Sequence, residues 1–339
     1  MSKRLTAGKI AGLTAVSDPR GVIAAAALDQ RGILKKMIAK DLGSEPSDAM
    51  TTQFKELVTN ALTRHASAIL LDTEYGLPAM RYSNGKGVML AYEKSCYDQS
   101  GPEFIPIYTE GWSVLRLKER GASAIKILIF YSQFEKPSVN EQKKAWLERI
   151  GAECRANDIP LFLEPLAYDV EGDGKGVAYA KRKPEIVTHF IQEFSAERYG
   201  VDVLKLEAPV LMRFVPGTQV FTGEAAYTRT EAMDWFRRAA AATEKPFVYL
   251  SAGVTNQAFL ETLEFALESG VDFHGVLCGR ATWQDGIPAF AKHGPKGLEE
   301  WLATQGEENM RKLNGILERA HPWQEKYTLA KTNLENCRA

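Results

Sequence analysis

The chain of 339 residues predicts an α/β protein, a single-domain (β/α)8 TIM barrel. Three observations carry that expectation. Short aliphatic or β-branched runs alternate with longer segments whose apolar residues recur three and four apart, the order that builds parallel strands joined by crossover helices. Eight such runs occur, the number that closes a barrel. No Gly-x-Gly-x-x-Gly follows the first run, so the fingerprint of a dinucleotide-binding, doubly wound open sheet, the competing architecture, is missing.

The strand runs are Val22–Asp29, Ala68–Asp72, Phe104–Tyr108, Ala124–Tyr131, Pro160–Glu164, Val201–Glu207, Pro246–Ser251 and Phe273–Gly279. The third is short and lies beside prolines. Helical spacing covers Asp48–His65, Gly111–Arg120, Val139–Asn157, Pro184–Tyr199, Thr230–Thr243 and Asn256–Ser269, with Lys183-Pro184 and Thr255-Asn256 read as helix starts. No repeat, low-complexity tract or Pro/Ser-rich linker divides the sequence. The expected organisation is an N-terminal lead over 1–20, a barrel over 21–323 and a C-terminal tail over 324–339. The stretch Glu171–Gly176 (EGDGKG) reads as a polar surface loop after the fifth strand.

Composition excludes several classes. With 42 Lys+Arg against 43 Asp+Glu, the formal charge is -1, which gives no general pull toward nucleic acid or anionic lipid. Cys96, Cys154, Cys278 and Cys337 are widely separated and form no CxxC pair, which argues against a disulfide framework and a structural zinc knuckle and for a reducing compartment. The apolar run Val22–Leu28 is too short and too late for a signal peptide, and nothing approaches the roughly 20 apolar residues of a membrane span. A soluble, cytoplasmic protein is expected, with a homo-oligomer the common case for such chains. Of the five histidines, His65, His189, His274, His293 and His321, none has HxH or HExxH spacing. Only His274 falls where it could face the barrel, so no catalytic metal is expected.

Barrel enzymes draw their chemistry from the carboxyl ends of the strands. Here Asp29 follows Ala25–Leu28, Lys126 interrupts Ala124–Leu128, Glu164 closes Leu161–Leu163, and Lys205 interrupts Val203–Leu206. An unpaired charge in an apolar strand is costly, so each needs a partner or a chemical reason. Structural ion pairs, Lys126 with Glu164 or Lys205 with Glu207, are one account. The other is a lysine beside a second ammonium, whose pKa desolvation and like charge would depress, making its amine a nucleophile toward ketones. Ser251-Ala252-Gly253 and Gly279-Arg280 end the last two strands, where barrels often hold phosphate: small residues let backbone N–H groups approach, and arginine adds a bidentate contact. Gln30-Arg31-Gly32 is a weaker candidate for a second phosphate, since Arg31 can equally pair with an acid.

Longer stretches carry a resemblance. Leu28–Gly32 (LDQRG), Ile69–Pro78 (ILLDTEYGLP), Ala91–Tyr97 (AYEKSCY), Gln142–Ile150 (QKKAWLERI), Phe162–Glu164, Val201–Lys205 (VDVLK), Tyr249–Val254 (YLSAGV) and Val276–Trp283 (VLCGRATW) span most of the chain. In them the sequence resembles the tagatose 1,6-bisphosphate aldolases, class I (Schiff-base) enzymes of bacterial carbohydrate metabolism. The resemblance implies that Lys205 forms the imine, that Glu164 is the main acid/base with Lys126 and Asp29 in support, and that Ser251, Gly253, Gly279 and Arg280 hold a sugar phosphate. It implies a phosphorylated ketohexose as substrate and neither metal nor organic cofactor. Pro165 departs from the tagatose pattern toward the sulfofructose-phosphate aldolases. Alternatives are therefore cleavage of fructose 1,6-bisphosphate or a sulfonated hexose phosphate, and a sugar-phosphate-sensing regulatory barrel.

Overall fold

The structure, a computed structural model, describes residues 4–94, 104–172 and 174–327. Eight parallel strands close into a barrel in chain order: β1 (Ile23–Leu28), β2 (Ala68–Leu71), β3 (Gly87–Ala91), β4 (Ala124–Tyr131), β5 (Leu161–Ala167), β6 (Val203–Leu206), β7 (Phe247–Tyr249) and β8 (Gly275–Cys278). The seam joins β8 to β1, with Ile23 opposite Gly275 and Ala26 opposite Cys278. Around it lie α2 (Gly32–Leu42), α3 (Asp48–Leu62), α4 (Val114–Glu119), α5 (Pro137–Ala156), α6 (Val177–Phe194), α7 (Arg229–Ala241), α8 (Asn256–Glu268), α9 (Arg280–Trp283), α10 (Ile287–Trp301) and α11 (Glu307–Leu317), preceded by α1 (Ala7–Ala15). Local chemistry starts several of these. Ser47 accepts from the Met50 N–H, Ser113 from Arg116 and Thr255 from Ala258, while Thr228 and Glu231 form a reciprocal capping box.

Two expectations are corrected. The third strand is Gly87–Ala91, not Phe104–Tyr108: it pairs with β2 through Ala68 to Gly87 and with β4 through Ala91 to Lys126. A slot between two strands demands N–H groups on both sides, which Pro106 cannot supply, and Phe104–Tyr108 instead runs as irregular chain that touches Glu93 in a single antiparallel bridge at Tyr108. Gly87 also suits the slot, because a Cβ there would lie 2.4 Å from the Ala15 carbonyl oxygen. The second correction concerns Pro184, which lies inside α6 rather than at its start. Proline leaves the carbonyl four residues earlier without its helical donor, and the Tyr227 hydroxyl donates to that Ala180 carbonyl instead.

Inside the barrel, Ile23, Ala25, Ala27, Leu70, Met89, Ala124, Phe162, Val203, Val248 and Leu277 form one buried cluster with Ile10, Leu13 and Val16 from the α1 region and with Trp323 and Tyr327. Segments on both sides of the barrel sequence thus close its amino-terminal end. Lys9 fastens α1 by donating to both carboxylate oxygens of Asp202, at 2.9 and 2.7 Å, and the Tyr327 hydroxyl donates to the Asp202 carbonyl. Residues 328–339 of the expected tail lie outside the described residues, as do Cys96 and Cys337. Cys154 and Cys278 are free and buried. No helix among the described residues is long and apolar enough to cross a membrane.

His274 belongs to this closed end. Its Nδ1 accepts from the Phe247 N–H at 3.2 Å, and burial lowers its pKa to about 3. A depressed histidine contributes stability that is present above about pH 6.5 and lost as pH falls toward 3. In an NMR titration the His274 ring should therefore stay neutral down to pH 4, whereas a midpoint near 6.5 would show that the imidazole is hydrated.

Candidate active site

Side chains alternate faces along a strand, so every second residue of a barrel strand points inward. Ala25 and Ala27 of β1 set the inward parity that Asp29 continues. Met89 and Ala91 of β3 lead to Glu93, Ala124 of β4 to Lys126, Phe162 of β5 to Glu164, and Val203 of β6 to Lys205 and Glu207. The apolar residues fill the lower layers, and the charged ones stand above them around a cavity open at the carboxyl ends of the strands. Asp29, Gln30, Arg31, Lys126, Glu164, Lys205, Ser251, Gly253, Gly279 and Arg280 all line that one cavity, together with Glu93 and Glu207.

At its base five charged groups make a connected cluster. Lys126 Nζ donates to Asp29 Oδ2 at 2.7 Å and to Glu93 Oε1 at 2.9 Å, and lies 2.9 Å from Glu164 Oε2. The same Glu164 oxygen accepts from Lys205 Nζ at 2.7 Å. Lys126 is 0% exposed and Lys205 3%, so the cluster sits in a medium where charge interactions are strong. Burial alone would lower the Lys126 pKa, but Asp29, Glu164 and Glu93 outweigh it and hold the ammonium well above the usual lysine value. Burial likewise works to raise the Asp29 pKa, yet Lys126, Lys205 and Lys55 hold that carboxylate below the usual range. At Glu93 burial prevails and raises the pKa against Lys126 and Arg31; its Oε2 has no hydrogen-bond partner among the described residues.

Of the two ion pairs considered from sequence, Lys126 with Glu164 is present, within the larger cluster. Lys205 does not pair with Glu207: that carboxylate lies 2.6 Å from Lys183 of α6 and accepts from the Ala167 N–H at 2.6 Å. The opposite wall of the cavity is built from the ends of β7 and β8. Ala252 and Gly253 both have positive φ, +50° and +77°, and a Cβ on Gly253 would lie 2.5 Å from Cζ of Arg280. Glycine therefore lets the guanidinium lie flat against the turn. Ser251 hydrogen-bonds with the Cys278 thiol, whose pKa burial pushes up to about 12, so that sulfur is inert. Arg31 is a different case. Its Nη2 donates to the Glu93 carbonyl at 2.9 Å and its Nε lies 3.8 Å from Asp72, so this guanidinium is engaged by the protein itself.

Glu93 escaped the sequence reading because its strand was placed elsewhere; the alternation of Met89, Ala91 and Glu93 is the signal that finds it. His274 is remote, at the closed end of the barrel. Among the described residues, no group of three or more His, Cys, Asp or Glu is placed to hold a metal ion.

A closed (β/α)8 barrel with two lysines sharing a carboxylate at its open end sets an amine beside an acid/base group, a pairing that carbonyl chemistry can use. Residues 23–285 match the model of the DeoC/LacD family aldolases, and the chain belongs to that family. It is 50% identical over 327 residues to a tagatose 1,6-diphosphate aldolase of Listeria monocytogenes, covering 96% of each chain. Identity to tagatose 1,6-diphosphate aldolase 2 of Enterococcus faecalis is 49%, covering 92% of this chain and 94% of the other, and to the Lactococcus lactis enzyme 46%, covering 95% and 99%. Among solved structures, fructose-bisphosphate aldolase of Plasmodium falciparum superposes with a TM-score of 0.65 at 15% identity, covering 93% of this chain and 97% of that one. A Schiff base forming fructose-1,6-bisphosphate aldolase gives a TM-score of 0.52 at 19% identity, covering 86% and 97%; both show the shared barrel fold.

Replacing Lys126 by methionine removes the cation shared by two buried carboxylates, Glu93 and Glu164, and the partly buried Asp29. Lys126→Met should lose about 3–5 kcal/mol of unfolding free energy at pH 7. The deficit should shrink toward pH 4 as the orphaned carboxylates protonate. Urea titrations at both pH values test this, and an equal deficit at each would mean that Lys126 stabilises by packing alone.

Proposed function

We propose that the protein is a class I aldolase that reversibly cleaves D-tagatose 1,6-bisphosphate to glycerone phosphate and D-glyceraldehyde 3-phosphate. The observation that carries the reading is the single oxygen of Glu164 held 2.7 Å from Lys205 Nζ and 2.9 Å from Lys126 Nζ. One carboxylate can then move protons to and from a lysine adduct while a second, permanently charged lysine balances it. The family assignment and the names of the relatives support the reaction and the sugar.

Unprotonated Lys205 attacks the C2 ketone, and Glu164 shuttles the protons that turn the carbinolamine into water and a protonated imine. That imine draws electrons from the C3–C4 bond. When Glu164, now the base, takes the C4 hydroxyl proton, the bond breaks, the aldehyde half leaves as glyceraldehyde 3-phosphate, and an enamine remains on Lys205. Asp29, held ionised on the far side of Lys126, accepts a hydrogen bond from a hydroxyl of the aldehyde half. Protonation of the enamine at C3 and hydrolysis of the imine release glycerone phosphate. Ser251, Gly253, Gly279 and Arg280 hold a phosphate of the sugar through backbone N–H groups and the guanidinium. Gln30 and Arg31, which line the same cavity, hold the second phosphate, and Arg31 also ties the loop after β1 to the Glu93 carbonyl. We read 21–323 as one catalytic domain, with 1–20 and 324–339 as its flanking segments, acting in the cytoplasm on a small phosphorylated substrate without nucleic acid.

Sodium borohydride added with D-tagatose 1,6-bisphosphate should leave a reduced adduct on Lys205, located by peptide mass spectrometry and insensitive to EDTA. No adduct, with turnover that EDTA abolishes, would overturn the covalent mechanism. Lys205→Ala should abolish turnover and Glu164→Gln slow it by about 100-fold or more. Arg280→Ala should mainly raise KM, and Gly253→Ala, by displacing the guanidinium, should do the same. An unchanged KM in both variants would move the phosphate elsewhere. Parallel assays with fructose 1,6-bisphosphate and a sulfonated hexose phosphate settle the sugar.

A further inference from the structure

We propose that Lys55, on the outer helix α3, is a positioning residue for Asp29: its ammonium pins the turn that aims this carboxylate into the cavity. Lys55 is fully buried. Its Nζ donates to the carbonyl of Leu28 at 2.7 Å, to the carbonyl of Gln30 at 2.8 Å, and to the carboxylate of Asp72. An ammonium has three protons and no acceptor, so all of its hydrogen-bonding capacity is used. The two carbonyls belong to the residues immediately before and after Asp29. The peptide plane that enters Asp29 and the one that leaves Gln30 are thereby fixed to one point on the outside of the barrel, and the Asp29 side chain between them reaches Lys126 Nζ at 2.7 Å on the inside.

Asp72, just beyond β2, holds that point still. Its Oδ1 accepts from the Glu74 and Tyr75 N–H groups at 2.9 and 2.7 Å, and Arg31 Nε lies 3.8 Å from it. Arg31 continues to the Glu93 carbonyl, so the ends of β1, β2 and β3 are tied into one unit behind the cavity. An apolar pair would fill the gap between helix and strand at lower desolvation cost. What the ion pair adds is direction: it fixes where two carbonyls point, which packing alone does not.

The inference rests on the aldolase reading and on the part Asp29 plays in cleavage. Its test uses the full chain as Lys55→Met, Asp29→Asn, the double variant of these two, and Lys55→Met with Asp72→Leu, which removes both charges of the Lys55–Asp72 pair. Imine formation with glycerone phosphate needs Lys205 and Glu164, so borohydride trapping should match wild type in Lys55→Met and in Lys55→Met with Asp72→Leu, which leave every group of the cavity cluster in place. Cleavage of the bisphosphate should fall by about 100-fold in Lys55→Met, the scale of a displacement near 1 Å. It should fall no further than Asp29→Asn alone when the two are combined, because a positioning residue has nothing left to position. The Lys55→Met, Asp72→Leu variant should regain thermal stability without regaining turnover. Multiplying losses in the Asp29 double variant, wild-type cleavage by Lys55→Met, or turnover that returns together with stability would each overturn the proposal. Absence of a trapped adduct in the wild-type protein would instead remove the aldolase reading, and this inference with it.

Discussion

The site depends on one buried ammonium. Lys126 sits among Asp29, Glu93 and Glu164 with no exposed surface, and gives three carboxylates gathered in one apolar barrel a shared counter-charge. Its charge keeps Asp29 an anion. Its contact with Glu164 orients the oxygen that also meets Lys205. The cluster is therefore a single electrostatic object with members on β4, β5 and β6 and just past the ends of β1 and β3.

The scaffold serves that object by dividing the barrel along its axis. Apolar side chains of the lower strand layers, with Ile10, Leu13, Val16, Trp323 and Tyr327 beneath them, close one end. That leaves the carboxyl ends of the strands as the open face where polar groups gather. The wall opposite the cluster is shaped by backbone conformation more than by charge. Two successive residues with positive φ, Ala252 and Gly253, bring the β7 turn against Arg280, and the short helix α9 is tied to β1 where the Trp283 indole donates to the Ala27 carbonyl at 3.0 Å. The outer helices add a further level of control, since Lys55 on α3 and Lys183 on α6 each reach inward to hold a strand end.

Much of this was legible along the chain. Alternation of strand and helix patterns fixes the fold class, because an inward stripe every second residue and a helical stripe every three or four are local properties that tertiary structure must satisfy. The charges interrupting apolar strands, Lys126, Glu164 and Lys205, and the acid just past one, Asp29, are visible for the same reason. The glycine turns before Val254 and Arg280 are visible from composition and place. Glu93 was hidden, since Gly87–Ala91 is a short strand whose only strong signal is its fit between two neighbours. Pro184 also misled: a proline reads locally as a helix start, and only a distant tyrosine hydroxyl makes it tolerable mid-helix.

The sequence by itself thus determined the periodicities, the barrel they build, and which charged residues interrupt its apolar strands. Tertiary structure decided the partnerships. Glu164 is shared by two lysines while Glu207 is taken by Lys183, Arg31 and Arg280 both border the cavity but Arg31 also donates to the Glu93 carbonyl, and Lys55 grips the chain on either side of Asp29. Residues 24 to 62 positions apart in the chain meet in these contacts. Which donor meets which acceptor depends on distances across the closed barrel, and no local pattern encodes those.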